Sequence, residues 1–328
     1  MRGRTGLIPQ SFRGLVMELD RSAPFYIAGH RGMLGSAVYR HLSSAGFTNL
    51  IGKSSKELDL TDRDAVLKFF DEARPRYVVL AAARVGGILA NDTYPADFLS
   101  ENLQIQVNVM DAAVKAGVER LAFMGSSCIY PKFAKQPISE SELMQGSLEA
   151  TNDAYAIAKI AGIKQVQATR KQHGLKWISI MPSNLYGPGD NYSELGSHVL
   201  PALIRRYSKA VVEKSDVVTN WGSGSPRREL LFVDDLAKAT LYLMENYDDD
   251  SHINIGTGED LEIRELAELV AREVGYEGKT EWDSSKPDGT PQKVLDVSKA
   301  NQLGWRAEVG LVEGIRAAIA DFRSRSDV

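Results

Sequence analysis

From Phe25 onward, short apolar runs alternate with longer segments whose apolar residues recur at helical spacing, and this alternation constrains the chain more than any other feature. Parallel strands need a crossover that returns the chain to the same end of the sheet, so strand, helix, strand repeated in this way predicts a parallel sheet covered by helices on both faces. The candidate strands are Phe25 to Ala28, Asn49 to Ile51, Tyr77 to Leu80, Leu121 to Met124 and Ile178 to Met181. Between them, Leu34 to Ala45, Arg63 to Glu72, Ala96 to Lys115 and Tyr155 to Gln172 carry the helical period. The expected fold class is α/β, a doubly wound, Rossmann-like parallel sheet.

After Pro182 the pattern breaks into loops around Gly187-Pro188-Gly189 and Gly222 to Pro226, with a helix-like stretch from Ser197 to Lys209 between them. A smaller C-terminal lobe covering a substrate is the expectation. The division that follows is a dinucleotide-binding domain over 25–185, to which 229–255 returns, and a substrate-binding lobe made of 186–228 and 256–328. Residues 1–24 differ: Arg2, Arg4 and Arg13 occur with no acid before Glu18. One reading is a transit peptide; the preferred one is a disordered leader over 1–24, or a start upstream of the true one, since Met17 lies just before the folded pattern.

Composition narrows the function classes. With a net charge of −4 and 25% charged residues in 328, the chain shows no basic footprint for nucleic acid. No apolar run approaches the roughly 18–20 residues that span a bilayer, so no membrane partner is expected. The single cysteine, Cys128, leaves no intrachain disulfide and no cysteine-cluster metal site, which suits the cytoplasm.

Directly after the first strand stands Gly29-His30-Arg31-Gly32-Met33-Leu34-Gly35, opening a helix. Glycines there allow a tight turn and bring backbone N–H groups close to a pyrophosphate at the helix N-terminus. An NAD-selective site places an acid near the end of the second strand, against the ribose 2′-hydroxyl. Leu50 to Lys56 contains none, whereas Arg31 and Lys53 or Lys56 are placed to neutralise a 2′-phosphate, so the sequence favours NADP(H).

Tyr155 and Lys159 are four residues apart, hence on one face of a helix. A phenol with an ordinary pKa of about 10 is a poor acid–base group at neutral pH. An adjacent ammonium and an oxidised nicotinamide lower it. Ser126, at the end of the fourth strand and 29 residues before Tyr155, faces the same crevice beyond the strand ends. Glycine loop, strand-end serine and tyrosine–lysine pair, in this order, point to hydride transfer to or from a carbonyl.

With these motifs the chain resembles the extended short-chain dehydrogenase/reductase family, in particular the branch that turns GDP-4-keto-6-deoxy-D-mannose into GDP-L-fucose. The resemblance runs from about Phe25 to the C-terminus and is strongest at Gly29 to Met33, Val85 to Ile88, Asn91 to Phe98, Gly125 to Pro131, Tyr155 to Gly162, Asn184 to Pro188 and Lys286 to Pro291. It implies Ser126, Tyr155 and Lys159 for reduction, with Cys128 and His198 as an epimerising acid–base pair. It implies that NADP(H) meets Gly29 to Gly35, Met124, Gly125, Ser126, Ser127, Lys159, Pro182, Ser183, Asn184, Leu185 and His198. A GDP-sugar would meet Arg206, Trp221, Arg228, Asp288 and Lys293, and the active form would be a homodimer built on the two long helices.

The chain departs from that family at three places. Phe232 stands where a histidine is usual, the loop Asn191 to Gly196 lacks a His-Pro, and Ser55 replaces an arginine near the adenosine phosphate. Two other readings fit the sequence less well. A UDP-sugar 4-epimerase or 4,6-dehydratase shares the fold, but a dehydratase needs carboxylates where Ser127 and Cys128 stand. A non-catalytic dinucleotide sensor typically lacks the tyrosine or the lysine, and both are present.

Overall fold

The computed structural model describes residues 17–194, 196–286 and 288–325; the arginine-bearing leader segment 1–16 and Leu195 of the departing loop lie outside the described residues. The first half of the chain runs β1 (Phe25–Ala28), α1 (Met33–Ser44), β2 (Leu50–Ile51), α2 (Arg63–Ala73), β3 (Tyr77–Leu80), α3 (Ile88–Thr93), α4 (Pro95–Ala116), β4 (Arg120–Met124), α5 (Asp153–His173), β5 (Ile178–Pro182) and β6 (Asn184–Tyr186). The second half runs α6 (Val199–Glu213), β7 (Val217–Trp221), β8 (Arg227–Phe232), α7 (Val233–Asn246), β9 (Ile253–Ile255), β10 (Asp260–Glu262), α8 (Ile263–Val274), β11 (Lys279–Asp283), β12 (Gln292–Lys293), α9 (Ser298–Leu303) and α10 (Leu311–Ser324).

Six strands form one sheet in the order β2-β1-β3-β4-β5-β9, every pair parallel. The reason is legible in β1. Phe25 and Ile27 join a core under α1 and α7, while Tyr26 and Ala28 join the opposite core with residues of α2, α4 and α5. A strand apolar at every position can be satisfied only by cover on both faces, which is what crossover helices supply. The helices end where the sequence lets them: α4 starts on Pro95 and stops at Gly117 with φ of 75°, and α2 starts on Asp62, whose carboxylate accepts the N–H groups of Asp64 and Ala65 at 3.0 Å each.

A second sheet joins β10, β8 and β12, with β6 also pairing β8, and a third pairs β7 with β11. Strand β8 links the two bodies. Leu231 belongs to the core beneath the main sheet, whereas its neighbours Leu230 and Phe232 belong to a separate core with Tyr186, Tyr207 and the buried faces of α6, α8 and α10. Period-two alternation along one strand thus serves two cores at once. The sequence returns 229–255 to the dinucleotide-binding domain; of this stretch β9 lies in the main sheet, while residues 229–232 pair with strands of the second sheet. Phe232 has its ring edge-on to Tyr186 at 5.6 Å, so the usual histidine position here is apolar packing.

Residues 17–24, expected in a loose leader, are packed. Leu19 is 1% exposed in the main core, the Met17 N–H donates to Glu245 O, and the Asp20 N–H donates to the Tyr77 hydroxyl. Burial of Leu19 outweighs the entropy of ordering this short run.

Arg120, the first residue of β4, is 1% exposed and ties the end of α7 to the sheet. Its guanidinium donates to the carbonyls of Met244 (2.9 Å), Leu243 (3.2 Å) and Tyr247 (2.6 Å), so a cation closes the helix C-terminus. Burial lowers its pKa to about 10, still far above neutrality. Since each orphaned buried carbonyl costs about 1–3 kcal/mol, Arg120→Leu is expected to lose about 3 kcal/mol or more. Urea denaturation measures it; a loss under about 1 kcal/mol would contradict this account.

Candidate active site

The carboxyl ends of β1, β3, β4 and β5 open into one cleft of about 1740 Å³, continued by α6, β7, β8 and the segment 288–293 of the second body. Single-ligand pockets typically occupy about 300–1,000 Å³, so there is room for two ligands end to end.

At one end lies the glycine turn. Gly29 has φ of 85°, and a Cβ on Gly35 would stand 2.0 Å from the Gly29 carbonyl oxygen, so neither position accepts a side chain. Helix α1 begins without a side-chain cap and without an acid in its first turn, leaving backbone N–H groups for an anion. These features fit a dinucleotide pyrophosphate. Gly29, Gly32, Met33, Leu34 and Gly35 line the cleft, as do Lys53 and Ser55 beyond β2. His30 and Arg31 do not. The His30 ring packs where a Cβ on Gly52 would strike it, and Arg31 is exposed outside the cleft wall. Met124 to Ser127 and Pro182 to Leu185 line the middle of the cleft from the ends of β4 and β5.

Helix α5 brings Tyr155 and Lys159 to this middle section. Lys159 is 3% exposed, and its ammonium donates to Met124 O at 2.9 Å and lies 5.8 Å from the centre of the Tyr155 ring. The sequence anticipates a phenol made more acidic. In the structure burial pushes the Tyr155 hydroxyl well above its ordinary value, a negative charge at Cys128 would push it further, and only the hydrogen bond with Ser126 opposes them. Tyr155 is therefore held protonated, the state a proton donor needs. Burial lowers Lys159 from 10.5 to about 8. Its charge is present below that pH and lost above it, so kcat/KM for ketone reduction, which reports the free enzyme, is expected to fall as pH rises through about 8. Lys159→Arg, always charged, should be slower at neutral pH and lack that limb; a limb unmoved in the variant would remove Lys159 from this role.

Ser126, two residues beyond β4, is extended, and its Oγ accepts the Cys128 N–H at 3.2 Å, fixing the short turn Ser127–Ile129. Cys128 is half-buried, with Asn152 Nδ2 at 3.4 Å and Lys293 Nζ at 3.8 Å from its sulfur. Both are donors, and an ammonium favours negative charge on sulfur. Across the cleft His198 precedes α6. Its ring is open to the cleft on one side while protein crowds the others, and that desolvation lowers its pKa below the usual histidine value.

At the far end, Arg206, Trp221, Arg228, Asp288 and Lys293 all line the cleft. Arg206 Nη1 donates to Asn220 Oδ1, and Trp221 is 65% exposed, leaving an indole face free. Asp288 is engaged: its carboxylate accepts the Ser223 N–H at 2.7 Å and hydroxyl at 2.8 Å, holding the turn after Trp221. Lys293 sits with the thiol. Sequence reasoning missed Asn152 and Glu149, which also line the cleft. Asn152 stands three residues before Tyr155, one turn back on the same helix face, and that spacing was the available signal. Among the described residues no cluster of His, Cys, Asp or Glu could hold a metal ion, and no helix is long and apolar enough to cross a membrane.

A glycine turn at a helix start, a strand-end serine and a Tyr155–Lys159 pair on one parallel sheet define a dinucleotide-dependent enzyme that acts on a carbonyl or alcohol, and the chain belongs to the NAD dependent epimerase/dehydratase family, which matches residues 25–256. It is 57% identical over 297 residues to a probable GDP-L-fucose synthase 1 of Oryza sativa subsp. japonica, covering 90% of each chain. It is 50% identical over 311 residues to the GDP-L-fucose synthase of Escherichia coli (strain K12), covering 92% of this chain and 97% of that one. Among solved structures, a GDP-mannoheptose C4 reductase from Campylobacter jejuni with NADP bound superposes with a TM-score of 0.86 at 37% identity, covering 93% of this chain and 100% of the other.

Proposed function

We propose that the chain converts GDP-4-keto-6-deoxy-D-mannose to GDP-L-fucose, inverting C3 and C5 and then reducing the C4 ketone with NADPH. One observation carries the reading: Cys128 and His198 open into the same cleft as Ser126, Tyr155 and Lys159. Reduction alone needs only the last three. Bound NADPH supplies hydride to the C4 carbon. Tyr155 gives its proton to the C4 oxygen, Ser126 donates a hydrogen bond to that oxygen, and Lys159 holds positive charge beside the phenol.

Before reduction, the same ketone acidifies the protons on C3 and C5. Inversion removes a proton from one face and delivers one to the other, so two groups must flank the ring. Cys128, with Lys293 and Asn152 donating to its sulfur, takes the first role. His198 takes the second: desolvation by the surrounding protein lowers its pKa below the usual histidine value, so once loaded it is a stronger acid than a free histidine. Arg206 and Arg228 suit the diphosphate, and Trp221 offers a stacking face to the base.

NADPH is favoured over NADH by Lys53 and Ser55 on the cleft wall and by the lack of an acid from Leu50 to Lys56. The reading includes a homodimer joined through α4 and α5, where Ile157 leaves 48% of its surface uncovered, and a cytoplasmic location. The test is NADPH oxidation with GDP-linked 4-keto-6-deoxymannose beside its UDP- and dTDP-linked counterparts, repeated with NADH. Turnover confined to the GDP-sugar and faster with NADPH is expected; equal use of all three sugars overturns the assignment.

A further inference from the structure

We propose that Asn152 is a positioning residue for Cys128: standing at the start of α5, its side chain leaves the helix uncapped and instead donates to the sulfur, so that inversion depends on it far more than reduction does. The inference rests on the epimerase reading above, in which Cys128 removes a proton from the sugar.

Asparagine is among the residues most favoured where a helix begins, because its side-chain oxygen accepts one of the backbone N–H groups that the first turn leaves without partners. Asp62 does this for α2. Asn152 holds the same place before α5, yet its side chain caps nothing. Its backbone is fixed on both sides, the N–H donating to Glu149 O and the carbonyl accepting the Ala156 N–H, each at 3.0 Å. The amide is turned to the cleft instead: Nδ2 lies 3.4 Å from Cys128 Sγ, and Oδ1 is buried with no hydrogen-bond partner among the described residues. A forgone cap and a buried, unsatisfied acceptor both lower stability. Packing for stability alone would not select this orientation; the contact with sulfur accounts for it.

The placement suits the reaction. Asn152, Tyr155 and Lys159 follow at helical spacing, so one stripe of α5 carries the holder of the base, the proton donor and the ammonium beside it. The other donor to the sulfur, Lys293 at 3.8 Å, comes from β12 of the second body, and the family resemblance also sets it against the GDP-sugar. Asn152 is the donor committed to sulfur. An N–H held against Sγ favours the thiolate over the thiol and aims it. The residue gains and loses no proton itself. Reduction, which runs through Ser126, Tyr155 and Lys159, makes no use of the sulfur.

The test uses the full-length chain, in which Cys128 is the single cysteine, so alkylation by iodoacetamide followed by intact mass reads this thiol alone. Aspartate keeps the shape of asparagine and caps a helix as well, but its carboxylate cannot donate and disfavours a neighbouring thiolate. Serine caps too and removes the amide without adding charge. At pH 7, Asn152→Asp is expected to be alkylated at least roughly tenfold more slowly than wild type, and Asn152→Ser roughly threefold more slowly. Exchange of the C3 and C5 protons of GDP-4-keto-6-deoxymannose in deuterated water should fall at least as far in each variant. Single-turnover oxidation of GDP-L-fucose by NADP, which reads the hydride step without inversion, should change by less than about threefold. Thermal midpoints should not drop, since both new residues can cap α5. Alkylation and exchange within about twofold of wild type in both variants overturn the positioning role while the epimerase reading stands. An equal loss of exchange and of GDP-L-fucose oxidation marks a general defect and overturns it as well. No exchange in wild type overturns the epimerase reading, and the role of Asn152 in inversion with it.

Discussion

Tyr155→Phe is expected to slow ketone reduction by about 10²–10⁴, the range for losing a positioned proton donor, while NADPH still binds. Two observations set the size of the effect. Burial keeps the phenol protonated at working pH, so every wild-type molecule carries the proton that the variant lacks. The ring itself packs edge-on against Phe98 at 6.3 Å, and phenylalanine preserves that contact. Single-turnover NADPH oxidation reads the chemical step and cofactor fluorescence titration reads binding; a reduction rate within about twofold of wild type would falsify the assignment of Tyr155 as the donor.

Cys128→Ser is expected to cut exchange of the C3 and C5 protons with deuterated water by about 10²–10⁴ while the uninverted ketone is still reduced slowly to a side product. A hydroxyl fits the turn set by Ser126 but is a far weaker base than a thiolate beside Lys293 and Asn152. His198→Asn should block exchange in the same way, since protonation of the opposite face then fails. Should both variants exchange at wild-type rates, the pair has no part in inversion and the chain is a simple ketoreductase.

The main sheet was legible because its strands are largely apolar: Tyr77–Leu80 is apolar throughout and Ile178–Pro182 is interrupted only by Ser179, which announces burial on both faces. Strand β9 was harder, three residues following the acidic run Asp248 to Asp250. The second sheet left almost no trace. The two residues of β12 are held only by β8, more than sixty positions earlier, and no local pattern encodes such a partner. The site divides in the same way. The glycine turn, Ser126 and the Tyr155–Lys159 pair are local patterns and were readable. The contact of Lys293 with Cys128 spans 165 positions and was not, so Lys293 was placed only among the residues that would meet the GDP-sugar. The rise that burial gives the Tyr155 hydroxyl was not readable, because burial is a property of the assembled fold.

Leu231 and its two flanking residues, turned into opposite cores from a single strand, bear on how substrate is chosen. Any sliding of the second body against the main sheet would have to drag this strand out of both interiors. One wall of the cleft is thus set when the chain folds, with Arg228 already in place on it. The entropy of shaping that wall is spent during folding and not at each encounter, so binding energy from the nucleotide end remains available to strain and orient the sugar ring.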